Sequence, residues 1–201
     1  MEHLIQFIKH FKKIGAIAPS SKFLAKDLAK QLQADVSGTH CPPLNILEIG
    51  PGTGSLTKEI VRYMRGEDHL DIVELHQHFY QHVKNEFSQP NIQVHHTDIL
   101  QFESNRNYNY IFSSLPYENM PSRISRNIWQ KKLELCSENA FICYFKYVNF
   151  RRFKSDFEEQ IVRRYQRDKK IVLLNIPPAK LFTLEIDESW KKPFSAHGHV
   201  A

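Results

Sequence analysis

The chain has 201 residues, of which 41% are hydrophobic, including 14 Phe and 8 Tyr. This composition excludes a disordered chain, and the length suits one domain with a sizeable core. The net charge of +5 at pH 7 favours an anionic partner, either lipid headgroups or nucleic acid.

No stretch approaches the roughly 20 continuous apolar residues of a membrane span. The first residues are charged throughout and lack the apolar core of a signal peptide, so we expect an intracellular protein. The three cysteines are widely spaced without a C-x-x-C pair, which indicates reduced thiols.

The first 14 residues predict an amphipathic helix, because apolar side chains recur there at steps of three and four. Its remaining surface is rich in lysine and histidine. Such a helix suits a lipid interface with anionic headgroups, and it suits packing on a folded domain equally well. A break at residues 15–21 follows, where Ser20 or Ser21 is a natural cap for a second helix, Lys22 to Leu32.

A strand, a glycine-rich turn and a helix are predicted in succession between Asn45 and Val61. A short apolar run, typical of a buried parallel strand, precedes Gly50, Gly52 and Gly54, and Glu48 lies two residues before the first glycine. This arrangement presents backbone amides to a small ligand at the carboxyl edge of an open α/β sheet. No lysine follows the glycines, so we do not expect a triphosphate.

Acidic residues end the next two predicted strands. Leu70 to Leu75 is the second strand, and its Glu74 lies twenty residues after Gly54. In Rossmann-like sites an acidic side chain at this place accepts hydrogen bonds from ribose hydroxyls, although a surface carboxylate is the simpler interpretation. The third strand, Ile92 to Asp98, alternates in polarity.

No metal site is predicted. His78 and His82 lie four residues apart on the helix expected after the second strand, a spacing that metal ligands use. No nearby carboxylate or cysteine completes a ligand set, and such histidines usually lie solvated on a helix surface.

The second half of the chain predicts four more strands. Tyr108 to Tyr117 is a strand that ends in a proline-stiffened loop, and Phe141 to Tyr147 is the fifth strand. An amphipathic helix, Ile124 to Cys136, lies between them, and a basic helix follows the fifth strand. Ile171 to Leu174 and Leu181 to Ile186 predict an antiparallel hairpin, and a poorly ordered tail begins at residue 190.

The glycine pattern, E-x-G-x-G-x-G, resembles the cofactor loop of class I S-adenosylmethionine-dependent methyltransferases. The resemblance implies an α/β, Rossmann-like fold with a seven-stranded, mostly parallel sheet, helices on both faces and an antiparallel last strand. We expect an N-terminal amphipathic helical segment, residues 1–33, that contacts a membrane and covers the cofactor. The methyltransferase domain then comprises residues 34–201.

The same resemblance implies which residues hold S-adenosylmethionine. The loop backbone lies against the methionine part, and Glu48 bonds loop amides or the cofactor's ammonium end. Glu74 accepts from the ribose, and Asp98 bonds the adenine amino group. The full set of predicted cofactor residues is Ser20, Ser21, Glu48, Gly50, Gly52, Gly54, Glu74, Leu75, Asp98, Ile99 and Ser113.

Four segments together resemble the bacterial phospholipid N-methyltransferases, which convert phosphatidylethanolamine to phosphatidylcholine. They are residues 15–21, 48–54, 113–116 and 175–179. The resemblance implies a cytoplasmic enzyme associated peripherally with the inner face of the membrane, with an anionic membrane surface and a phospholipid as partners. Nucleic acid is the less favoured partner, and no protein partner is evident. Ser114 departs from this family's pattern, in which a glycine occupies that position.

An ethanolamine headgroup is protonated in water, so a group must take its proton before the amine attacks. Tyr117 and Tyr147 are the candidates, and their rings also suit a cation–π contact with the methylated product. Packed aromatic residues are the simpler interpretation of both. The candidates for binding the substrate and its phosphate are Leu115, Pro116, Lys146, Arg151 and Arg152.

Two alternatives remain. The ribosomal RNA adenine N6-dimethyltransferases share the E-x-G-x-G-x-G loop, and Leu115-Pro116-Tyr117 is similar to their Asn-Leu-Pro-Tyr. Ser114 replaces the Asn that bonds the target amine in that family, and we expect no room for its helical C-terminal domain. The second alternative is a non-catalytic membrane-binding module that senses the cofactor.

Overall fold

The computed structural model describes residues 22–36, 42–117, 120–148, 156–173, 175 and 177–191. The strands in this part of the chain are β1 (Asn45–Ile49), β2 (His69–Glu74), β3 (Ile92–His96), β4 (Tyr108–Ser113), β5 (Cys136–Tyr147), β6 (Gln166–Val172) and β7 (Ala179–Ile186). The helices are α1 (Lys22–Ala29), α2 (Gln31–Val36), α3 (Ser55–Tyr63), α4 (Gln77–Glu86), α5 (Ser122–Leu135) and α6 (Asp156–Tyr165). Two short 3-10 helices are Ile99–Gln101 and Glu188–Lys191.

The seven strands described form one sheet in the order β3-β2-β1-β4-β5-β7-β6. β1 to β5 are parallel, whereas β7 runs antiparallel between β5 and β6. The chain moves outward from β1 through β2 to β3 and then returns to β4 on the other side of β1. Ligands of open α/β sheets bind at the carboxyl edge where the strand order reverses, here beside β1 and β4. The predicted Rossmann-like fold is confirmed.

The sheet separates two apolar cores. Successive residues of a strand point to opposite faces, so Leu47 and Ile49 lie in the core that α5 covers, and Ile46 lies in the other. The second core includes Leu24 of α1 and Ile60 of α3. β1 is therefore buried on both faces, which explains why three of its five residues, Ile46, Leu47 and Ile49, are apolar.

Several boundaries differ from the predictions. The helix expected over Lys22 to Leu32 is divided into α1 and α2 at Lys30. β6 begins at Gln166, five residues before the predicted start, because its first residues are exposed and polar and carry no alternating apolar pattern. β5 likewise begins early, at Cys136, directly after α5.

Some predictions lie outside the described residues. They are the amphipathic helix of the first 14 residues, the turn at residues 15–21, and the first part of the basic segment after β5. The division of the chain at residue 33 and the covering role of its first part stay predictions. Among the residues described, no helix is both long and apolar enough to cross a membrane.

Candidate cofactor and acceptor site

The glycine loop, residues 50–54, follows the carboxyl end of β1 and has open space beside its backbone. Gly50, Gly52 and Gly54 have φ values of 72°, 58° and 76°, a region in which a side chain is strained. The Gly50 amide donates to the Val73 carbonyl at 2.9 Å, which ties the loop to β2. A Cβ atom built on Gly52 would meet nothing within 4 Å, so the loop leaves room for a ligand there.

Glu48 supplies a buried carboxyl group beneath this loop. Its Oε2 accepts a hydrogen bond from the Thr57 hydroxyl at 2.7 Å. Its Oε1 has no partner among the residues that the structure describes. Burial raises the pKa of Glu48 to about 8, helped by the nearby charge of Glu74 and opposed by the Thr57 bond. The unpaired oxygen is a place for a hydrogen-bond donor.

Glu74 and Asp98 lie at the ends of neighbouring strands, as predicted. The Glu74 carboxylate accepts from the Gly52 amide at 3.2 Å and from the His76 amide at 2.7 Å. Asp98 accepts from the Leu100 amide at 2.9 Å and thereby caps the 3-10 helix that follows. Both carboxylates thus face the carboxyl edge of the sheet and are already held by backbone amides.

The remaining predicted cofactor residues have different surroundings. Leu75 is partly buried against the core under α5, and its carbonyl accepts from His96 Nε2 at 3.2 Å. Ile99 is buried in the same core. Ser113, the last residue of β4, shares a 2.6 Å hydrogen bond with the Tyr117 hydroxyl. Ser20 and Ser21 lie outside the described residues.

Residues 114–117, here termed the acceptor loop, lie directly against the glycine loop. The Ser114 amide donates to the Ile49 carbonyl at 3.0 Å. Leu115 Cδ2 is 3.0 Å from the position that a Cβ on Gly50 would take. The Ser114 hydroxyl is buried, and no described residue bonds it. The structure therefore brings the predicted acceptor residue Leu115 next to the glycine loop, and Pro116 follows it in the chain.

Tyr117 and Tyr147, the predicted proton acceptors, are not brought together. The Tyr117 ring, at the end of the acceptor loop, is buried, with its centroid 5.6 Å from that of Trp129 and 5.7 Å from that of Tyr144. Tyr147 packs against Phe145 and belongs to the core on the other face of the sheet. Successive residues of β5 point to opposite faces, so Tyr147 lies on the face opposite to that of Tyr144, whose ring contacts Tyr117.

The phosphate-binding prediction for Lys146 conflicts with its contacts. Its Nζ lies 2.6 Å from Glu158 Oε1, which also accepts from the Tyr144 hydroxyl at 2.8 Å. A buried carboxylate therefore already balances this charge. Arg151 and Arg152 lie outside the described residues. No group of three His, Cys, Asp or Glu side chains in the described ranges is arranged to hold a metal.

The residues present fit S-adenosylmethionine. The glycine loop leaves open space at Gly52, and Glu48 offers an unpaired oxygen to the ammonium end of such a molecule. The carboxylates of Glu74 and Asp98 suit hydroxyl and amino donors.

Comparison with known proteins identifies a family. The family model described as ribosomal RNA adenine dimethylase matches residues 20–153, about two thirds of the chain. The ribosomal RNA small subunit methyltransferase A of Malacoplasma penetrans is 32% identical over 117 residues, which is 56% of this chain and 41% of that protein. The protein of that name from Nitrosospira multiformis is 36% identical over 58 residues, 29% and 21% of the two chains. The chain thus spans less than half the length of these relatives.

Solved structures agree on the fold. The N-methyltransferase NodS of Bradyrhizobium japonicum, in complex with S-adenosyl-L-homocysteine, superposes with a TM-score of 0.64 at 14% identity. The match covers 81% of this chain and 87% of NodS. The magnesium protoporphyrin IX methyltransferase of Synechocystis, with bound S-adenosylmethionine, gives 0.65 at 9% identity, covering 82% and 78%. At such identities the likeness shows the fold alone, that of class I methyltransferases.

The predicted S-adenosylmethionine-dependent methyltransferase, with its cofactor, is confirmed, but the predicted phospholipid acceptor is wrong. The prediction of a membrane surface as partner and the prediction that nucleic acid is the less favoured partner are therefore also wrong. The lipid interpretation gave most weight to residues 15–21 and 175–179, whereas Leu115-Pro116-Tyr117 indicated the alternative that the family model supports. The matched residues include the glycine loop and the acceptor loop, and the chain belongs to the ribosomal RNA adenine dimethylase family.

Proposed function

We propose that the protein transfers methyl groups from S-adenosylmethionine to the N6 amine of adenine in ribosomal RNA. The observation that carries this proposal is the contact of the acceptor loop with the end of β1, at Ser114 with Ile49, and with the glycine loop, at Leu115 with Gly50. Membership of the family supports RNA as the acceptor, and the relatives' names denote the small ribosomal subunit.

The chain's own residues would hold the cofactor at three points. Glu48 accepts from the ammonium group, Glu74 from the ribose hydroxyls and Asp98 from the adenine amine. When bound, S-adenosylmethionine supplies a methyl group already activated by its sulfonium. The protein's main task is then to place the acceptor nitrogen in line with that methyl group.

Adenine N6 differs from a lipid amine in its protonation and in the availability of its lone pair. It is uncharged at neutral pH, so no residue must remove a proton before the attack. Its lone pair is delocalised into the ring, and oxygen acceptors that hydrogen-bond the N6 hydrogens favour a geometry in which the nitrogen attacks. The Ser114 hydroxyl, which bonds none of the described residues, is one such acceptor in the acceptor loop. After transfer, the methylated nitrogen is strongly acidic and loses its proton to water.

The test compares two serine variants. Ser114→Ala and Ser125→Ala each remove a buried hydroxyl that bonds no described residue, but Ser125 lies on α5 and outside the acceptor loop. We expect Ser114→Ala to lower kcat for unmodified ribosomal RNA by about 10- to 100-fold, since a lost hydrogen bond to the reacting group costs about 1.5 to 3 kcal/mol.

Ser125→Ala should leave that rate unchanged, and both variants should keep the affinity for S-adenosylmethionine. Equal transfer to RNA by Ser114→Ala and the parent protein would remove Ser114 from the acceptor site. No transfer to RNA by the parent protein would contradict the proposed acceptor itself.

A further inference from the structure

Lys132 is a buried amine directly beneath the acceptor loop. It lies on α5 with 0% of its surface exposed, and its Nζ has no hydrogen-bond partner in the part of the chain described. Three aromatic rings surround that nitrogen. Their centroids lie 3.0 Å away for Trp129, 4.7 Å for Tyr117 and 5.4 Å for Tyr144.

Such an amine is costly to bury. A methionine has a similar length and would fill the same space without a polar atom, so stability alone does not explain the lysine. Burial lowers the pKa of Lys132 well below its usual range, against the opposing effects of Glu158 and Cys136 and together with the charge of Lys146. The amine therefore gives up its proton far more readily than an exposed lysine, and unpaired groups of this kind cluster at functional sites.

The aromatic rings connect Lys132 to the acceptor loop. The Tyr117 hydroxyl is bonded to Ser113 at 2.6 Å, and Ser114 follows in the chain. The Tyr144 hydroxyl is held by Glu158, which also pairs with Lys146. A displacement of the Tyr117 ring would therefore move the residues that line the acceptor position.

We propose that Lys132 is a positioning residue for the methyl acceptor. Its amine rests against the rings of Trp129 and Tyr117 and holds Tyr117 in the orientation in which the hydroxyl bonds Ser113. Lys132 touches neither cofactor nor acceptor in this role, and its effect on catalysis rests on the proposed function of the acceptor loop.

The test uses Lys132→Met, with Lys131→Met as the matched control, because the control makes the same substitution at the neighbouring position of α5. The first measurement is hydrogen exchange of the Ser114 and Tyr117 amides, which donate to Ile49 and Leu115. We expect exchange at least about tenfold faster in Lys132→Met, with β4 unchanged, and no change in Lys131→Met. This readout needs no acceptor, so it stands even if ribosomal RNA is not the substrate.

The second measurement separates positioning from folding. In Lys132→Met we expect kcat for RNA to fall at least about tenfold, while the affinity for S-adenosylmethionine and the unfolding midpoint stay equal or rise. Unchanged exchange in the acceptor loop would overturn the proposal. So would a fall in kcat that is accompanied by a matching fall in cofactor affinity and unfolding midpoint, since that pattern marks a purely structural lysine. Lys132→Leu repeats both measurements if the methionine variant does not fold.

Discussion

Glu48 combines two properties that rarely occur together, complete burial and an unpaired carboxyl oxygen. Because burial raises its pKa to about 8, the side chain carries a proton at neutral pH in the free protein. Binding of an ammonium group beside it would favour the ionised form. Cofactor binding and protonation of Glu48 are therefore linked.

This linkage predicts a pH dependence of stability. Between pH 4.5 and about 8 the folded protein holds a proton on Glu48 that the unfolded chain has lost. The free energy of unfolding therefore falls as the pH rises through that window, by an amount on the order of 3 kcal/mol. Glu48→Gln should remove this part of the dependence. Urea unfolding of both proteins at pH 5 and pH 8 measures it, and identical pH dependences would contradict the assignment.

A second prediction for a single residue concerns Gly50 of the glycine loop. Gly50→Ala should destabilise the protein by about 2 kcal/mol, because alanine is strained at positive φ and its Cβ would press against Leu115. Gly66→Ala is the matched control, since Gly66 lacks a positive φ and a Cβ there meets nothing within 4 Å. Thermal unfolding compares the two. Equal midpoints would show that the loop conformation is not required.

The residues that the sequence analysis missed share one property, which is that their role depends on three-dimensional neighbours. Lys132 follows Ile128 by four residues and Trp129 by three, so the helical period does place it on the apolar face of α5. A lysine is normally solvated, and that expectation outweighed its position. Tyr144 was missed for a similar reason, because its partner Glu158 lies on a different element.

At the scale of elements, a buried carboxylate holds three strands together. Asp71 of β2 accepts hydrogen bonds from His69, from His95 of β3 and, at 2.8 Å, from the Tyr108 hydroxyl of β4. Burial would raise the pKa of Asp71, but the bonds from His95 and Tyr108 and the charges of both histidines outweigh it, so the pKa is lowered. Asp71 therefore stabilises the fold above pH 4 and loses this effect as the pH falls.

We expect Asp71→Asn to lower the free energy of unfolding by about 2 to 4 kcal/mol at pH 7, since it weakens a buried network with several donors. Tyr108→Phe removes only one donor and should cost about 1 kcal/mol. Urea unfolding at pH 7 and pH 4 gives both values. A cost for Asp71→Asn no larger than that for Tyr108→Phe would contradict the cooperative role of the network.

The elements around the site could be predicted from the sequence because each one has a characteristic local sequence pattern. β1 carries a short apolar run, the glycines have positive φ, and α3 follows directly after them. β6 was not fully predicted, because its exposed residues at the sheet edge are polar and its pairing with β7 is a tertiary contact. The hairpin of β6 and β7 itself was correctly predicted.

In the whole molecule, the fold and the identity of the methyl acceptor depend on different features of the sequence. NodS and the magnesium protoporphyrin IX methyltransferase superpose on this chain at only 14% and 9% identity, so the sheet does not specify the acceptor. The basic charge suits lipid and RNA alike. The lipid interpretation depended on residues 15–21 and 175–179, which lie at the two ends of the chain, whereas Leu115-Pro116-Tyr117 of the acceptor loop indicated the RNA methyltransferases.

The net charge gives a further prediction. If RNA is the partner, lysine and arginine side chains displace counterions from its phosphates, and the affinity should fall steeply with salt. We expect a linear decrease of log K with log salt concentration, with a slope of about −0.7 per phosphate contacted on single strands. Filter binding between 50 and 300 mM KCl measures this slope. An affinity independent of salt would contradict a phosphate-contacting interface.

The central claim is that adenine N6 is the methyl acceptor. The direct measurement is to incubate the protein with S-adenosylmethionine and unmodified ribosomal RNA, digest the RNA and identify the methylated nucleosides by mass spectrometry. We expect N6-methylated or N6,N6-dimethylated adenosine, with much less of either from Ser114→Ala. Methyl groups on another nucleoside or on another atom of adenosine, or unmodified RNA from a protein that binds S-adenosylmethionine, would contradict it.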